Sequence, residues 1–267
     1  MNRELFVRTL RAQRLKLAIA SLAIAAWSLF LPVIYQSFGS QMEALIESGV
    51  IPEQFTTFGG GDVFTLSGSV ALGYIHPISI ILVAIFAIGF AAAAVAGERQ
   101  RGTLEVILAR PISRRTVYIT LLVALVLFIG VLLAASIAGT VIGATVVGVA
   151  DELAIDRLPL LWLNGLLMWA AFGAIGLAAS VSFDRLTPAL GITLAVVIVS
   201  YFLEILGSLW PDAEVLQPYS LFHYLAARDV LNGDASLGGF VLLAAVIAAA
   251  VAWALVIFPR RDLAAPS

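Results

Sequence analysis

The stretch TVYITLLVALVLFIGVLLAASIAGTVIGATVVG, residues 116–148, carries no charged side chain from end to end. A helix that crosses a membrane needs about 20 mainly apolar residues to cover a hydrocarbon core about 30 Å thick. At a rise of about 1.5 Å per residue, this stretch is too long for an upright crossing. It therefore predicts a transmembrane helix that tilts, bends near Gly139 and Gly143, or projects beyond the bilayer.

Five other apolar stretches meet the same length requirement, so the sequence predicts six spans. Mean hydropathy is +1.05 and only 12% of the residues are charged, against about 25% in soluble domains. The expected fold is therefore an all-α membrane protein in which residues 1–267 form one transmembrane domain. The predicted spans lie near residues 17–37, 76–97, 116–148, 158–182, 188–208 and 237–258.

The distribution of cations predicts the orientation of these spans. If the N-terminus is cytoplasmic, every Lys and Arg except Arg157 and Arg228 lies on the inner side, as the positive-inside rule requires. Both termini should then be cytoplasmic. Lys16 is the only lysine, which hints at a GC-rich bacterial genome and thus at the bacterial cytoplasmic membrane. A cleaved signal peptide is the alternative for the first span, but its apolar run is long and lacks a small-residue cleavage site.

The segments outside the spans should contain short helices. Residues 1–16 alternate apolar and cationic side chains, which predicts an amphipathic interfacial helix on anionic lipid or a simple topological anchor. The outer loop 38–75 should hold a short helix at 41–48, with Ser40 and Glu43 spaced as a capping box, and a flexible glycine turn at 59–61. Between the fifth and sixth spans, Ser220 and Gly233 should begin and end short outer helices.

The composition excludes several classes of catalyst. Cysteine is absent, so the chain has no disulfide, no thiolate nucleophile and no cysteine-bound metal. His76 and His223 are far apart in the sequence and do not form a pair of metal ligands. Lys16 lies outside any G-x-x-x-x-G-K motif, so the chain itself has no P-loop for ATP. We expect no enzyme, no cofactor in this chain and no nucleic acid partner.

Few polar side chains lie within the predicted spans. Glu204, near the outer end of the fifth span, is the only clear intramembrane charge, and Asn164 suits a hydrogen bond between helices. A proton- or sodium-coupled carrier would bury more ionisable groups near the midplane. The chain therefore resembles a transport path without its own energy source. Residues of a possible substrate path or outer gate are Glu204, Tyr219, Phe222 and His223, although a packing or interfacial role is favoured for His223.

The stretch GERQRGTLEVILARPISRR, residues 97–115, concentrates arginines in a loop between the second and third spans. Thr103 should cap a short helix that reaches Arg110, Pro111 should end it, and Ser113 should cap the third span. Leu104, Ile107 and Leu108 would then share one apolar face. This helix is suited to docking, although the arginines could instead serve only topology and lipid headgroups.

This stretch resembles the signature of the permease subunits of type-2 ABC exporters. The shared features are an acidic and basic pair, G-T-L-E, an apolar pair and a P-I-S-R segment, and the layout of the whole chain is similar too. The large 38–75 loop departs from the pattern and leaves the substrate class open. The resemblance implies that 98–115 holds a coupling helix that binds a separate ATPase. The residues that would form or shape this joint are Glu98, Arg99, Gly102, Thr103, Leu104, Glu105, Ile107, Leu108, Pro111 and Arg114.

The resemblance also implies a mechanism and partners. Two ATPase subunits would bind ATP and Mg²⁺ and drive alternating access in two permease copies, as a homodimer or with a different second permease. The path would lie at the dimer interface, mainly between the second and fifth spans. The apolar spans favour an amphiphilic cargo. Small-residue pairs at Gly139 and Gly143 and at Gly173 and Gly176 allow close helix contacts, within the chain or across the dimer.

Two other functions remain as alternatives. A non-transporting membrane subunit of a complex would use the same loop for docking, and a secondary carrier would depend on Glu204.

Overall fold

A computed structural model describes residues 1–48, 65–109 and 111–261, with the backbone alone at 38–47. All regular elements in these ranges are helices, which confirms the all-α fold class. Five helices are long and apolar enough to cross a membrane, and a bent helix pair is a sixth candidate. The description does not cover residues 49–64, which include the predicted glycine turn, or Arg110. It also does not cover the side chains of Ser40 and Glu43.

The spans are numbered 1 to 6 in chain order. Spans 3 to 6 differ from the predicted ranges only at their ends, whereas spans 1 and 2 differ substantially. The bounds are Arg3–Glu47 for span 1, Leu66–Ile75 with Pro77–Ala84 for the start of span 2, Arg114–Val146 for span 3, Leu158–Ser182 for span 4, Leu186–Leu209 for span 5 and Leu237–Arg260 for span 6.

Span 1 corrects the prediction of a separate interfacial helix at 1–16. A single helix runs from Arg3 to Glu47, because no glycine or proline interrupts the sequence between residues 3 and 31. At about 1.5 Å per residue, this helix exceeds the thickness of a bilayer. The helical residues predicted at 41–48 are its continuation rather than an independent element, so the outer loop does not begin at residue 38.

Span 2 begins ten residues before the predicted start at 76, with Leu66–Ile75. Thr65 caps this helix, since its Oγ1 accepts a hydrogen bond from the Gly68 N–H at 3.0 Å. The chain then bends by 48° before Pro77. His76 is extended, at φ −65° and ψ 140°, because a residue before proline avoids the helical region. The outer loop is therefore shorter at this end as well.

The second half of span 2 is wound more loosely than an α-helix. Two π-helical segments, Ile85–Phe90 and Ala93–Gly97, follow Pro77–Ala84. The buried hydroxyl of Ser180 in span 4 bonds this part of the backbone. It donates to the Ala92 carbonyl at 2.7 Å and accepts from the Val95 and Ala96 N–H groups at 3.0 and 2.9 Å. Such π-helical segments are frequent at functional sites.

Spans 1 and 3 lie side by side in parallel along much of their length. The Ser28 and Ser136 hydroxyls are 2.7 Å apart. A Cβ added at Gly139 would lie 2.1 Å from the Ala25 carbonyl oxygen, and Gly143 approaches span 1 as closely. These glycines therefore allow close contact within the chain, and a role at a dimer interface or as a bend in span 3 is not what the structure shows.

Span 4 lies at the centre of the bundle. In its most apolar stretch 67% of the residues are buried, the largest share among the five unbroken candidate spans. Gly176 touches span 2, since a Cβ there would lie 2.9 Å from that of Ala91. The Trp162 indole donates to the Gly130 carbonyl of span 3 at 2.9 Å, and the Trp253 indole of span 6 donates to Ser182 at 3.1 Å. Span 4 thus connects the other helices.

Three short helices separate spans 5 and 6, namely Pro211–Tyr219, Phe222–Tyr224 and Ala227–Asn232. Ser220 accepts from the Phe222 N–H at 3.0 Å, as a capping residue should. The turn that it begins, however, ends before the helix that Gly233 terminates at φ +92°. The predicted short helices are present, but Ser220 and Gly233 belong to different ones.

Candidate functional site

The loop between spans 2 and 3 begins with a tight turn at Gly102. The Gly102 N–H donates to the Arg99 carbonyl at 2.9 Å, and the Thr103 N–H donates to the Glu98 carbonyl at 2.9 Å. These two bonds form a Schellman motif, which places its penultimate residue in the left-handed region. Gly102 has φ +70°, a conformation that other L-residues adopt only with strain. The glycine therefore sets the direction in which the loop leaves span 2.

Thr103 does not cap the following helix, contrary to the prediction. Its backbone is already helical, at φ −89° and ψ −16°, so its hydroxyl points back toward span 2. There it donates to the Glu98 carboxylate at 2.5 Å, a stronger, charge-assisted acceptor. Arg101 pairs with the same carboxylate. Glu98 therefore joins the end of span 2 to the start of the next helix.

The loop helix, Leu104–Leu108, is shorter than the predicted helix to Arg110 and turns its apolar residues inward. Leu104 and Ile107 are 2% and 9% exposed, whereas Val106 is 66% exposed. The prediction that Leu104 and Ile107 form the outward docking face is therefore corrected. They attach the helix to the bundle, with Leu108 half-buried beside them, and Glu105 and Val106 form its accessible face.

Asp184, between spans 4 and 5, connects the loop to the end of span 6. Its Oδ1 lies 2.6 Å from Arg99 Nη1 and also pairs with Arg261. The Gln100 side-chain oxygen accepts from the Leu186 N–H at 3.0 Å. We call the three charged residues the Asp184 clamp. The sequence shows acidic and basic residues in separate segments, and only the fold brings them together.

Arg114 forms a second link between the loop and span 6. Its Nη1 donates to the Arg261 carbonyl at 2.6 Å and to the Phe258 carbonyl at 3.1 Å, which caps the end of span 6 with a cation. Ser113 caps span 3 as predicted, since its Oγ accepts from the Thr116 N–H at 3.1 Å. Pro111 lies in the exposed turn between the two helices. The helix before it already ends at Leu108.

At the opposite end of the bundle, Glu204 lines a cavity of about 320 Å³. Its side chain is 12% exposed, and its Oε2 lies 3.8 Å from His223 Nδ1, too far for a hydrogen bond. Gln217 donates to Glu204 Oε1 at 3.4 Å. The structure thus brings Glu204 and His223 together, as the sequence suggested, and adds Gln217, which the sequence analysis missed.

Phe222 is a core residue that also lines the Glu204 cavity. It is 1% exposed, and its ring centre lies 5.2 Å from that of Phe172 and 5.6 Å from that of Tyr201. Tyr219 is 78% exposed and does not line the Glu204 cavity. Asn164 donates to the Tyr224 carbonyl at 2.9 Å, so its partner is a short outer helix and not another span.

Within the described ranges, no group of three or more His, Cys, Asp or Glu side chains is placed to hold a metal ion. The charged contacts of the 98–115 loop are pairs between side chains or with backbone carbonyls. Their geometry suits the mechanical joining of helices rather than chemistry.

Comparison with known families identifies the chain. The model of a family described as ABC-2 family transporter protein matches residues 8–263. The chain belongs to this family. The ABC-2 chain is therefore a multi-pass membrane permease of an ABC transporter, a transport component rather than a catalyst, and its family implies partnership with an ABC ATPase subunit. No curated protein shows significant similarity to it.

Proposed function

We propose that this permease exports its substrate, and that its 98–115 loop binds an ABC ATPase subunit at the cytoplasmic side. The observation that carries the proposal is the loop helix. Its inner residues Leu104 and Ile107 are anchored in the bundle, while Val106 is exposed. A helix that transmits force needs both a fixed base and a free contact face. Glu105, beside Val106, supplies a charge that can set the orientation of the partner.

The contacts around the loop explain how a displacement would spread. Arg99 and Arg114 link the loop to Asp184 and to the end of span 6. A push on the loop helix would therefore move the connection of spans 4 and 5 and the end of span 6 together with spans 2 and 3. Packed helices respond to such a push by switching between discrete arrangements, which is the basis of alternating access.

Two permease copies and two ATPase subunits form the proposed complex, with ATP and Mg²⁺ bound by the ATPases. We place it in the bacterial cytoplasmic membrane with both termini inside. Span 5 offers an exposed apolar face for the second copy, with Ile198 and Phe202 62% and 61% exposed. The cargo is proposed to be amphiphilic, with the apolar spans facing its chain and the Glu204 cavity facing its polar part.

The docking test uses Val106→Asp in the full-length chain expressed with an ABC ATPase encoded beside it. Burying an unpaired carboxylate in an interface is costly, and each 1.4 kcal/mol lowers affinity tenfold. The co-purified ATPase should fall at least tenfold. Val215→Asp, equally exposed at 70% but at the opposite end of the bundle, is the matched control. Undiminished co-purification and ATP turnover with Val106→Asp would refute the docking role.

The orientation is tested by single cysteines, since the chain has none. A membrane-impermeant maleimide should label Val215→Cys in intact cells, and should label Val106→Cys only after the cells are permeabilised. Labelling of position 106 from outside would reverse the proposed topology. Ion-driven uptake without ATP, abolished by Glu204→Gln, would point instead to a secondary carrier.

A further inference from the structure

A cavity of about 350 Å³ lies where span 1, the π-helical part of span 2 and the loop helix meet. One side is apolar and comes from spans 2 and 3, with Ile85, Phe90 and Leu121 among its residues. The other side is formed by the first turns of span 1 and is polar. The cavity thus has one apolar side and one polar side, as a binding site for an amphiphilic molecule requires.

The polar side carries a net positive charge. Arg8, Lys16 and Arg101 line it, and Glu98 is the one acidic residue among the lining side chains. The Glu98 carboxylate is already occupied by Arg101 and by the Thr103 hydroxyl. Within the part of the chain that the structure describes, the side chains of Arg8 and Lys16 make no ion pair or hydrogen bond. Two cations therefore remain available to an anionic ligand.

The position of the cavity matches a lipid headgroup and the start of its acyl chain. Lys16 immediately precedes the long apolar run of span 1, so it lies where the hydrocarbon region begins. Arg8 is eight residues earlier, about 12 Å nearer the helix start. On the facing wall, Ile85 is 42% exposed and Gly89 is half-buried. Cations therefore flank the part of the cavity nearer the membrane surface at the loop end, and apolar side chains line the part that faces the hydrocarbon.

We propose that this cavity binds an anionic phospholipid from the leaflet at the loop end of the bundle. Its phosphate contacts Lys16 and Arg8, and its acyl chain lies along Ile85, Gly89 and Phe90. Basic pockets between transmembrane helices favour anionic headgroups, and each Lys or Arg near the membrane surface contributes about fivefold in affinity. A free phosphate would leave the apolar wall uncovered, and a zwitterionic lipid would gain less from the two cations.

The bound lipid would also touch the docking element. Leu104 and Ile107, the inner residues of the loop helix, line the same cavity. A lipid in the cavity would therefore contact the inner side of the loop helix. The lipid site itself depends on neither the direction of transport nor the identity of the ATPase.

The first test neutralises the two cations. The full-length permease carrying Arg8→Gln with Lys16→Gln is reconstituted in vesicles of equal phosphatidylglycerol and phosphatidylcholine, extracted in mild detergent, and its retained lipids are counted by native mass spectrometry. The variant should bind phosphatidylglycerol about 25-fold more weakly than the unmodified protein, because each of the two cations contributes about fivefold in affinity. Arg11→Gln with Arg14→Gln removes the same charge from the same helix outside the cavity. This control should change binding less than twofold.

The second test fills the apolar side. A Cβ at Gly89 would find its nearest neighbour, the Ala84 carbonyl oxygen, at 4.0 Å, so the Cβ of Gly89→Leu meets no close contact, and Gly89 itself lines the cavity. Gly191→Leu, where nothing lies within 4 Å, is the control on span 5. Only Gly89→Leu should release phosphatidylglycerol.

Three results would overturn the proposal. They are equal retention of phosphatidylglycerol and phosphatidylcholine by the unmodified protein, equal losses in the cavity and control charge variants, or full retention by a folded Gly89→Leu protein. If Gly89→Leu fails to fold, the surface charge variants still decide. Lipid retention is measured without ATP and without the ATPase. A negative result would therefore overturn the lipid site and leave the proposed ATPase docking untouched.

Discussion

Ser180→Ala removes one hydroxyl that makes three hydrogen bonds to the backbone of span 2. The hydroxyl donates to Ala92 and accepts from Val95 and Ala96 at 2.7–3.0 Å. Ser180 is 0% exposed, so water cannot replace it. At about 1 kcal/mol of net stability for each bond, the substitution should cost about 2–4 kcal/mol.

This loss has a functional consequence, because the bonded segment leads directly into the loop helix. Without Ser180, the π-helical segment Ala93–Gly97 can recover backbone hydrogen bonds only by rewinding toward an α-helix. Rewinding changes the rotation of Glu98 and hence the direction of Gly102 and the loop. We therefore expect Ser180→Ala to reduce ATP-dependent transport even below the temperature at which the protein unfolds.

The assay is thermal unfolding of the detergent-solubilised protein at a fixed scan rate, since unfolding of such proteins is irreversible. For a chain of this size, about 1 kcal/mol shifts the midpoint by about 2–4 °C. Ser180→Ala should therefore lower the midpoint by about 5–15 °C.

Ser182→Ala, two residues away on the same helix, is the matched control. Its hydroxyl accepts one bond from Trp253 of span 6 and otherwise bonds its own helix, at Ala178. At the same value of about 1 kcal/mol for one interhelical bond, the midpoint should move by only about 2–4 °C. If the two variants unfold at the same temperature, the Ser180 bonds do not hold the π-helical segment and the reasoning fails.

Gly139→Ala should destabilise the protein by about 1–3 kcal/mol through overpacking, because its Cβ would lie 2.1 Å from the Ala25 carbonyl oxygen. Gly191→Ala, with open space around it, should leave the unfolding midpoint unchanged or slightly raised, and equal midpoints would contradict the proposed contact. Asp184→Asn should uncouple ATP hydrolysis from transport while costing little stability, since Asp184 is 58% exposed and the amide oxygen of Asn can still accept a hydrogen bond from Arg99, which is 11% exposed. The measurement is transported substrate per ATP in vesicles, beside the unfolding midpoint.

Asp156→Asn serves as the control for Asp184→Asn, because among the described residues Asp156 pairs only with its neighbour Arg157, and it is even more exposed, at 77%. It should preserve the transport ratio. An unchanged ratio in Asp184→Asn would show that the clamp is not part of the force path.

The positions of spans 3 to 6 follow from local sequence alone, since a long apolar run that crosses the bilayer must satisfy its backbone polar groups as a helix. The cap at Ser113 and the left-handed terminator at Gly233 are equally local, and both were predicted. The errors in spans 1 and 2 have a different origin. Cationic residues near the N-terminus suggested a boundary at residue 16, yet charge does not interrupt a helix where glycine and proline are absent, as they are from residue 3 to residue 31.

The sequence predicted which segment forms the candidate site, but not which of its side chains are exposed to a partner. The 97–115 stretch identified the loop and its helix, and helical periodicity grouped Leu104 with Ile107. Periodicity, however, cannot say whether an apolar face turns toward the bundle or toward a partner. The same limit applies to Phe222, where an aromatic residue near the membrane surface proved to be part of the core.

The amino-acid sequence by itself determined that this chain is a multi-pass helical membrane protein and that an arginine-rich loop with a short helix joins its second and third spans. These features depend on hydropathy and on backbone preferences within a few residues. Only the tertiary structure decided that Arg99 and Arg261 meet Asp184, that Gly139 lies against Ala25, and that Lys16 borders a cavity with span 2. Such contacts join residues distant in sequence, and their geometry depends on how all the helices pack together.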